Sequence, residues 1–210
     1  MRTIAALFVD PRGSYSLCEG VELWTESAVQ QGLFSARVHA DARAYAGPHA
    51  VVAHPPCARW CRLAGLVEKR WGHERGQDGG AFSSALASVR AWGGVLEHPA
   101  YSDAWDAFGL AAPPRDGGWV RADEAGGWTC YVEQGRYGHA AKKATWLYAC
   151  RVPLPELRWG STPDRPDAAW VSWCGNATRG AKRRRLTKRE AIATPAAFRD
   201  ELLAMARGAE

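Results

Sequence analysis

Two short segments place a reactive side chain beside proline at the end of an apolar run. His54-Pro55-Pro56-Cys57 follows Ala50-Val51-Val52-Ala53, and Glu97-His98-Pro99 follows Trp92-Gly93-Gly94-Val95-Leu96. An ionised thiol is the side chain suited to reversible covalent addition. A carboxylate at the end of an apolar strand is costly to bury unless it is paired or used. Cys57 and Glu97 are therefore a candidate catalytic pair. Pro56 fixes its own φ, and each proline pushes its predecessor toward extended geometry. Both reactive groups are thus expected on stiff, directed connections. In open α/β sheets, ligands bind in the crevice outside the carboxyl ends of the strands, where these segments would lie.

The elements that must position them follow from the apolar pattern. Residues 3–9 read as a buried first strand, and Asp10-Pro11-Arg12-Gly13-Ser14 as a turn. Residues 15–31 are ambiguous, with helix favoured over Thr25–Gln31, and Leu33–His39 reads as a strand followed by Asp41. Residues 50–54 form the strand before the cysteine, and the glycine-rich stretch Glu68–Gly80 reads as a loop. Phe82, Ala85, Leu86 and Val89 have helical spacing, ending at Gly93-Gly94. Ala111–Gly127 reads as an excursion, and Trp128–Gln134 and Thr145–Cys150 as strands. Arg151–Arg185 carries four prolines and little periodicity. Thr187-Lys188-Arg189-Glu190 has the pattern of a capping box. Thr194-Pro195 reads as the cap and first turn of a closing helix with an apolar stripe of Phe198, Leu202 and Met205. Strands alternating with helices predict an α/β fold with a mostly parallel sheet. The expected organisation is an α/β catalytic domain over 1–150, with 151–210 an irregular basic extension and helix packed on the same domain.

Composition narrows the class. The 210 residues are 47% hydrophobic and 23% charged, as in an ordinary globular protein with a sizeable core. No apolar run approaches the roughly 18 residues a membrane span needs. The short N-terminal apolar run lacks the pattern of a signal peptide, so a cytoplasmic location and six reduced cysteines are expected. His54, Cys57 and Cys61, with His73, lack the paired Cys-x-x-Cys spacing of structural zinc sites, and no metal is expected. Net charge is +5, with Lys182-Arg183-Arg184-Arg185 and Lys188-Arg189 clustered near the end. Such clusters are an electrostatic footprint for phosphates, so a polyanion partner is expected. Several of the eleven tryptophans, among them Trp71, Trp119, Trp128 and Trp159, lie beside Gly or Arg, where they cap a loop-rich core or stack on bases.

The ordered set Pro56-Cys57, Glu97-His98-Pro99 and Gln134-Gly135-Arg136 resembles the motifs of DNA cytosine-C5 methyltransferases. In that family a Pro-Cys loop supplies a thiolate to C6 of a flipped cytosine, a glutamate holds ring N3, and a Gln-x-Arg-x-Arg strand follows. The chain is still more similar to short methyltransferase-like proteins of bacteriophages. These carry His-Pro-Pro-Cys, Glu-His-Pro or Glu-Asn-Pro, and a Gly-His-x-x-Lys-x-Thr-x-Leu segment, here Gly138-His139-Ala140-Ala141-Lys142-Lys143-Ala144-Thr145-Trp146-Leu147. The resemblance covers residues 3–150. It implies a Rossmann-like, methyltransferase-like fold without a separate target-recognition domain, and a base-flipping transferase whose catalytic residues are Cys57 and Glu97. It further implies substrate or DNA contacts by His54, Arg59, His98, Gln134, Arg136, His139, Lys142 and Lys143. The cofactor implied is S-adenosylmethionine, with Asp10, Arg12 and Asp41 as its contacts. The family's glycine-rich first loop is replaced by Asp10-Pro11-Arg12-Gly13, and an arginine there suits an anion better than a sulfonium. Methyl transfer to cytosine is the leading version of the chemistry. One alternative is hypermodification at a 5-hydroxymethyl-type pyrimidine without S-adenosylmethionine, attaching an amine or amino acid to modified thymine. Another is a catalytically inactive DNA-binding module. Trp173-Cys174-Gly175-Asn176 is weakly similar to a Gly-Asn segment near the end of the methyltransferases.

Overall fold

A computed structural model describes residues 1–26, 38–39, 41–61, 64–72, 74–163, 169, 184 and 186–210. Most of the expected helix over 25–31, residues 33–37 of the expected strand, residues 173–176 and most of the basic run 182–185 lie outside the described residues.

The strands are β1 (Ile4–Leu7), β2 (Val21–Trp24), β3 (Val38–His39), β4 (Ala50–Ala53), β5 (Gly94–Pro99), β6 (Val120–Arg121), β7 (Trp128–Glu133) and β8 (Ala144–Cys150). The helices are α1 (Ala64–Trp71), α2 (Ala81–Trp92), α3 (Asp103–Ala107), α4 (Lys188–Ile192) and α5 (Ala196–Arg207). The fold is α/β, with one eight-stranded sheet in the order β3-β2-β1-β4-β5-β8-β7-β6. The first five strands run parallel, and β8, β7 and β6 each pair antiparallel.

One ambiguity is resolved and two expectations are corrected. Within the ambiguous stretch, Val21 and Leu23 are buried while Glu22 and Trp24 are half-buried, and this alternation forms β2 beside β1. The loop expected over 68–80 begins later, because α1 continues to Trp71. Pro195, not Thr194, caps α5: its ψ of 145° is extended, and helical geometry starts at Ala196.

Period-two alternation divides the core between the two faces of the sheet. Leu7, Val51, Ala53, Leu96 and Tyr148 pack with Phe82, Leu86 and Val89 of α2. Ile4, Ala6, Val52, Val95 and Leu147 pack with Phe198, Leu202 and Met205 of α5. The connection from β1 to β2 contains only a 3₁₀ turn at Ser14–Leu17. The last helix covers that face instead, contacting β1, β4, β5 and this turn.

The start of β5 depends on glycine. Gly94 has a φ of 140°, and a Cβ there would run into the carbonyl oxygen of Val51 on β4. Gly94→Ala is therefore expected to destabilise the fold by about 3 kcal/mol, combining backbone strain with overpacking. Urea unfolding would show it as a lowered midpoint.

Candidate active site

The order β3-β2-β1-β4-β5 is that of doubly wound sheets, in which winding reverses between β1 and β4. The crevice beyond the carboxyl ends of these two strands is where such sheets bind ligands. The His54 N–H extends the ladder by donating to Leu7 O at 3.0 Å. Pro55 and Pro56 have no N–H, so pairing stops there. Cys57 then opens a turn in which its carbonyl accepts from Trp60 and Cys61 at 3.0 and 2.9 Å. The sequence thereby places Cys57 half-buried at the switch point.

Glu97 lies on β5, the next parallel strand, and is a paired strand residue opposite Leu147 rather than part of a loop. Its Oε2 accepts from His54 Nδ1 at 3.0 Å, and its Oε1 from Gln134 Nε2 at 2.9 Å. Thr145 Oγ1 stands 3.4 Å from Oε1 and accepts from Gln134 Nε2 at 3.0 Å. Burial raises the carboxyl pKa, but the His54 hydrogen bond and the charge of Lys143 outweigh it and bring it down to about 2. Glu97 is thus a fixed carboxylate, an acceptor rather than a stored acid. Gln134 is fully buried, with its amide nitrogen committed to Glu97 and Thr145 and its Oε1 unpartnered.

Burial and the nearby charge of Glu97 push the Cys57 thiol up to about 11, opposed by Lys143. Lys143, at a φ of 45°, donates from Nζ to the carbonyls of Ile192 and Ala193 at 3.1 and 2.9 Å. Burial lowers its pKa, while Glu97 and Cys57 raise it. One ammonium therefore caps the end of α4 and also acts on both reactive groups. His139 works alongside it: Nδ1 accepts from the Ala141 N–H at 3.0 Å, and Nε2 faces Glu190 O at 3.1 Å. Together they hold α4 by the site, with Lys188 and Arg189 exposed and the Thr187–Glu190 capping box formed.

Other expected residues stand apart from this cluster. His98 faces the opposite side of the sheet from Glu97, as successive strand residues must. It is fully buried between Phe82 and Trp105, with ring centroids 5.2 and 6.2 Å away. Neither ring nitrogen makes a well-formed hydrogen bond, although the Pro56 carbonyl favours the charged ring, and burial brings its pKa down to about 4. The unfolded chain therefore takes up this proton first as pH falls from the ordinary 6.5. Stability carried by neutral His98 is complete above that value and is lost progressively toward pH 4. His98→Phe is expected to flatten the fall in urea midpoint over this window. Arg136 donates to Ser161 O at 3.0 Å and holds the segment before 163. Arg59 is half-buried on the turn after Cys57, and Lys142 is exposed beside Lys143.

The residues expected around S-adenosylmethionine do not fit it. Arg12 N–H donates to Asp10 Oδ1 and Gly13 N–H to Asp10 O, both at 2.8 Å, and Pro11 has no N–H. The loop after β1 thus closes on itself at Asp10, with the Arg12 and Gly13 amides committed and none at Pro11. Asp41 is held by the backbone N–H and Nε of its neighbour Arg43, at 3.1 and 2.7 Å. The acid two residues beyond β2, where doubly wound sheets place a ribose contact, is Glu26, which sequence reading passed over because β2 was not recognised. Tyr15 was also missed, since its ambiguous segment carries no motif. Its hydroxyl meets His54 Nε2 at 2.8 Å. Thr145 did carry a signal, as part of the Gly138–Leu147 segment.

Among the described residues there is no cluster of three His, Cys, Asp or Glu side chains able to hold a metal, and no helix long and apolar enough to cross a membrane. Compared with protein-family models, curated proteins and solved structures, the chain matches none of them.

Proposed function

We propose that this chain modifies a pyrimidine of DNA at C5 through a covalent adduct between Cys57 and ring C6. The observation that supports this most is the convergence of Cys57 and Glu97 at the ends of adjacent parallel strands, with Glu97 fixed as a carboxylate by His54 and Gln134. Pyrimidine C5 is a poor nucleophile until a group adds at C6. As the Cys57 sulfur bonds to C6, the C5=C6 pair moves onto C5 and charge spreads to the ring heteroatoms. A proton taken up at N3 neutralises that charge, the Glu97 carboxylate holds the resulting N3–H, and the Lys143 ammonium close by stabilises the remaining negative charge. C5 then takes an electrophile, loses its proton, and the thiolate leaves. The base must leave the stack to reach a recessed thiol. Exposed Lys188 and Arg189, held beside the site, suit the flanking phosphates.

The closed loop after β1 favours a second version of the same adduct, independent of S-adenosylmethionine. On a 5-hydroxymethylpyrimidine the adduct expels hydroxide, leaving an exocyclic methylene. An amine then adds to the methylene, and departure of the thiolate restores C5=C6. The net change exchanges hydroxyl for amine with release of water.

Both versions are tested without any donor. Duplex DNA carrying 5-tritiated cytosine or uracil is expected to lose tritium to water, and 5-hydroxymethylpyrimidine DNA labelled with oxygen-18 tests the second version through loss of label. No exchange from any of these substrates would overturn the proposal. DNA binding that persists in Cys57→Ala and Glu97→Ala without exchange in the wild type would leave the binding module. DNA affinity is expected to fall with salt, and Lys188→Ala and Arg189→Ala should each reduce the slope by about 1.

A further inference from the structure

We infer that Tyr15, His54 and Glu97 form a proton relay serving the pyrimidine ring as Cys57 adds, with His54 the member that carries the proton. This rests on the pyrimidine reading above.

The three side chains come from separate parts of the fold: the turn after β1, the residue after β4, and β5. Both nitrogens of His54 are engaged, Nδ1 with Glu97 Oε2 at 3.0 Å and Nε2 with the Tyr15 hydroxyl at 2.8 Å. Tyr15 is buried, and its turn is fastened to α5 by Arg199 Nη1 donating to Ser14 O at 2.7 Å. This arrangement does what Glu97 alone does not. The ring gains basicity at N3 when sulfur bonds to C6, and the neighbouring group should then supply a proton. Glu97, ionised under its donors, holds none to give. The adjacent titratable group is His54, directly behind it.

The step balances as follows. Cys57 gives up its thiol proton to solvent and bonds to C6. His54, as imidazolium, passes its Nδ1 proton to Glu97, which passes one to N3. His54 is left neutral, with its Nε2–H donating to the Tyr15 oxygen. Elimination returns the proton by the same route. Burial raises the Tyr15 phenol well above its ordinary value, so it stays un-ionised and can switch between donor and acceptor. The charged groups around the relay are Lys143 before β8, acting on Glu97 and Cys57, and Arg199 and Asp200 on α5, acting on Tyr15. The other titratable neighbours are Cys57, Cys18 and His98, the last acting on Glu97.

The test is the pH profile of donor-free tritium release from 5-tritiated pyrimidine DNA. The active form needs both a thiolate and an imidazolium. Wild-type rates should therefore level off with rising pH where the gain in thiolate cancels the loss of imidazolium. His54→Asn keeps a donor toward Glu97 but carries no proton. It should be roughly 10²–10⁴-fold slower at neutral pH, and its rate should climb about tenfold per pH unit as thiolate alone accumulates. Tyr15→Phe should retain the levelling but move its onset. A slower His54→Asn enzyme with the wild-type profile would mean that His54 only holds Glu97, overturning the relay and leaving the pyrimidine reading intact. If the wild type releases neither tritium nor the oxygen-18 label, the pyrimidine reading fails, and nitrogen-15 NMR of the His54 ring decides the relay. A titration whose midpoint moves in both Tyr15→Phe and Glu97→Gln supports it, and a ring of fixed protonation overturns it.

Discussion

Cys57→Ala is expected to reduce C5 exchange to the uncatalysed background, with urea stability changed by less than about 1 kcal/mol. The two halves of this result follow from one position. Cys57 is half-buried on the turn after β4 and belongs to neither core, so loss of its sulfur leaves the packing of Val51, Val52 and Ala53 untouched. Its chemistry, in contrast, has no substitute nearby. Cys61 follows one turn later, its N–H on the Cys57 carbonyl and its sulfur directed at Ala58 O at 3.9 Å. Cys61→Ala should therefore leave exchange within about twofold of wild type, because it removes no group bearing on the ring. With the thiol pushed up to about 11, only about one molecule in 10⁴ carries the thiolate at pH 7 before substrate binds. Exchange on DNA should accordingly be far less sensitive to neutral alkylating agents than in an enzyme whose cysteine rests ionised. Exchange surviving in Cys57→Ala would remove covalent addition from the mechanism.

The parts of this site visible in the sequence were those fixed by local rules. Apolar runs stopped by glycine or proline marked β1, β4 and β5, and the same stops drew attention to Cys57 and Glu97. Strand alternation also held a warning that was not used: residues 97 and 98 must face opposite sides, so they were never candidates for the same crevice. The remaining features depended on distant partners. His139 and Lys143 read as phosphate contacts, yet their hydrogen bonds go to carbonyls of α4 and its cap about fifty positions away, |i−j| being 51 for Glu190 and 49 for Ile192. Tyr15 joins His54 across 39 positions from a turn without periodicity. Asp41 was misleading for the opposite reason, since Arg43, two residues on, already occupies its carboxylate. Four-residue β2 was too short for its alternation to stand out from an ambiguous stretch.

Glu97→Gln is expected to make Cys57 more reactive and the enzyme less active. Without DNA, the carboxylate raises the thiol pKa through its negative charge, while Lys143 opposes it. Burial, the largest cause, still raises the thiol, but without the carboxylate the Cys57 pKa falls from about 11 and alkylation by iodoacetamide at neutral pH speeds up. With DNA, the variant has lost the carboxylate that stabilises the protonated ring, and exchange should fall roughly 10²–10³-fold. The acid limb of stability gives a third readout. A folded-state pKa of about 2 against the ordinary 4.5 means that ionised Glu97 contributes up to about 3 kcal/mol above pH 4.5, lost as pH falls toward 2. In Glu97→Gln both His54 and Gln134 lose a charged acceptor, and the new amide either faces its NH2 to Gln134 Nε2 or requires His54 to accept at Nδ1. Stability at neutral pH should then drop by about 1–3 kcal/mol, and the slope between pH 4.5 and pH 2 should flatten. A general loss of structure would slow exchange while speeding alkylation of every cysteine, whereas the charge acting on one thiol confines the faster alkylation to Cys57. Faster alkylation of Cys57 alone, alongside slower exchange, is the combination that only a carboxylate poised between thiol and ring produces.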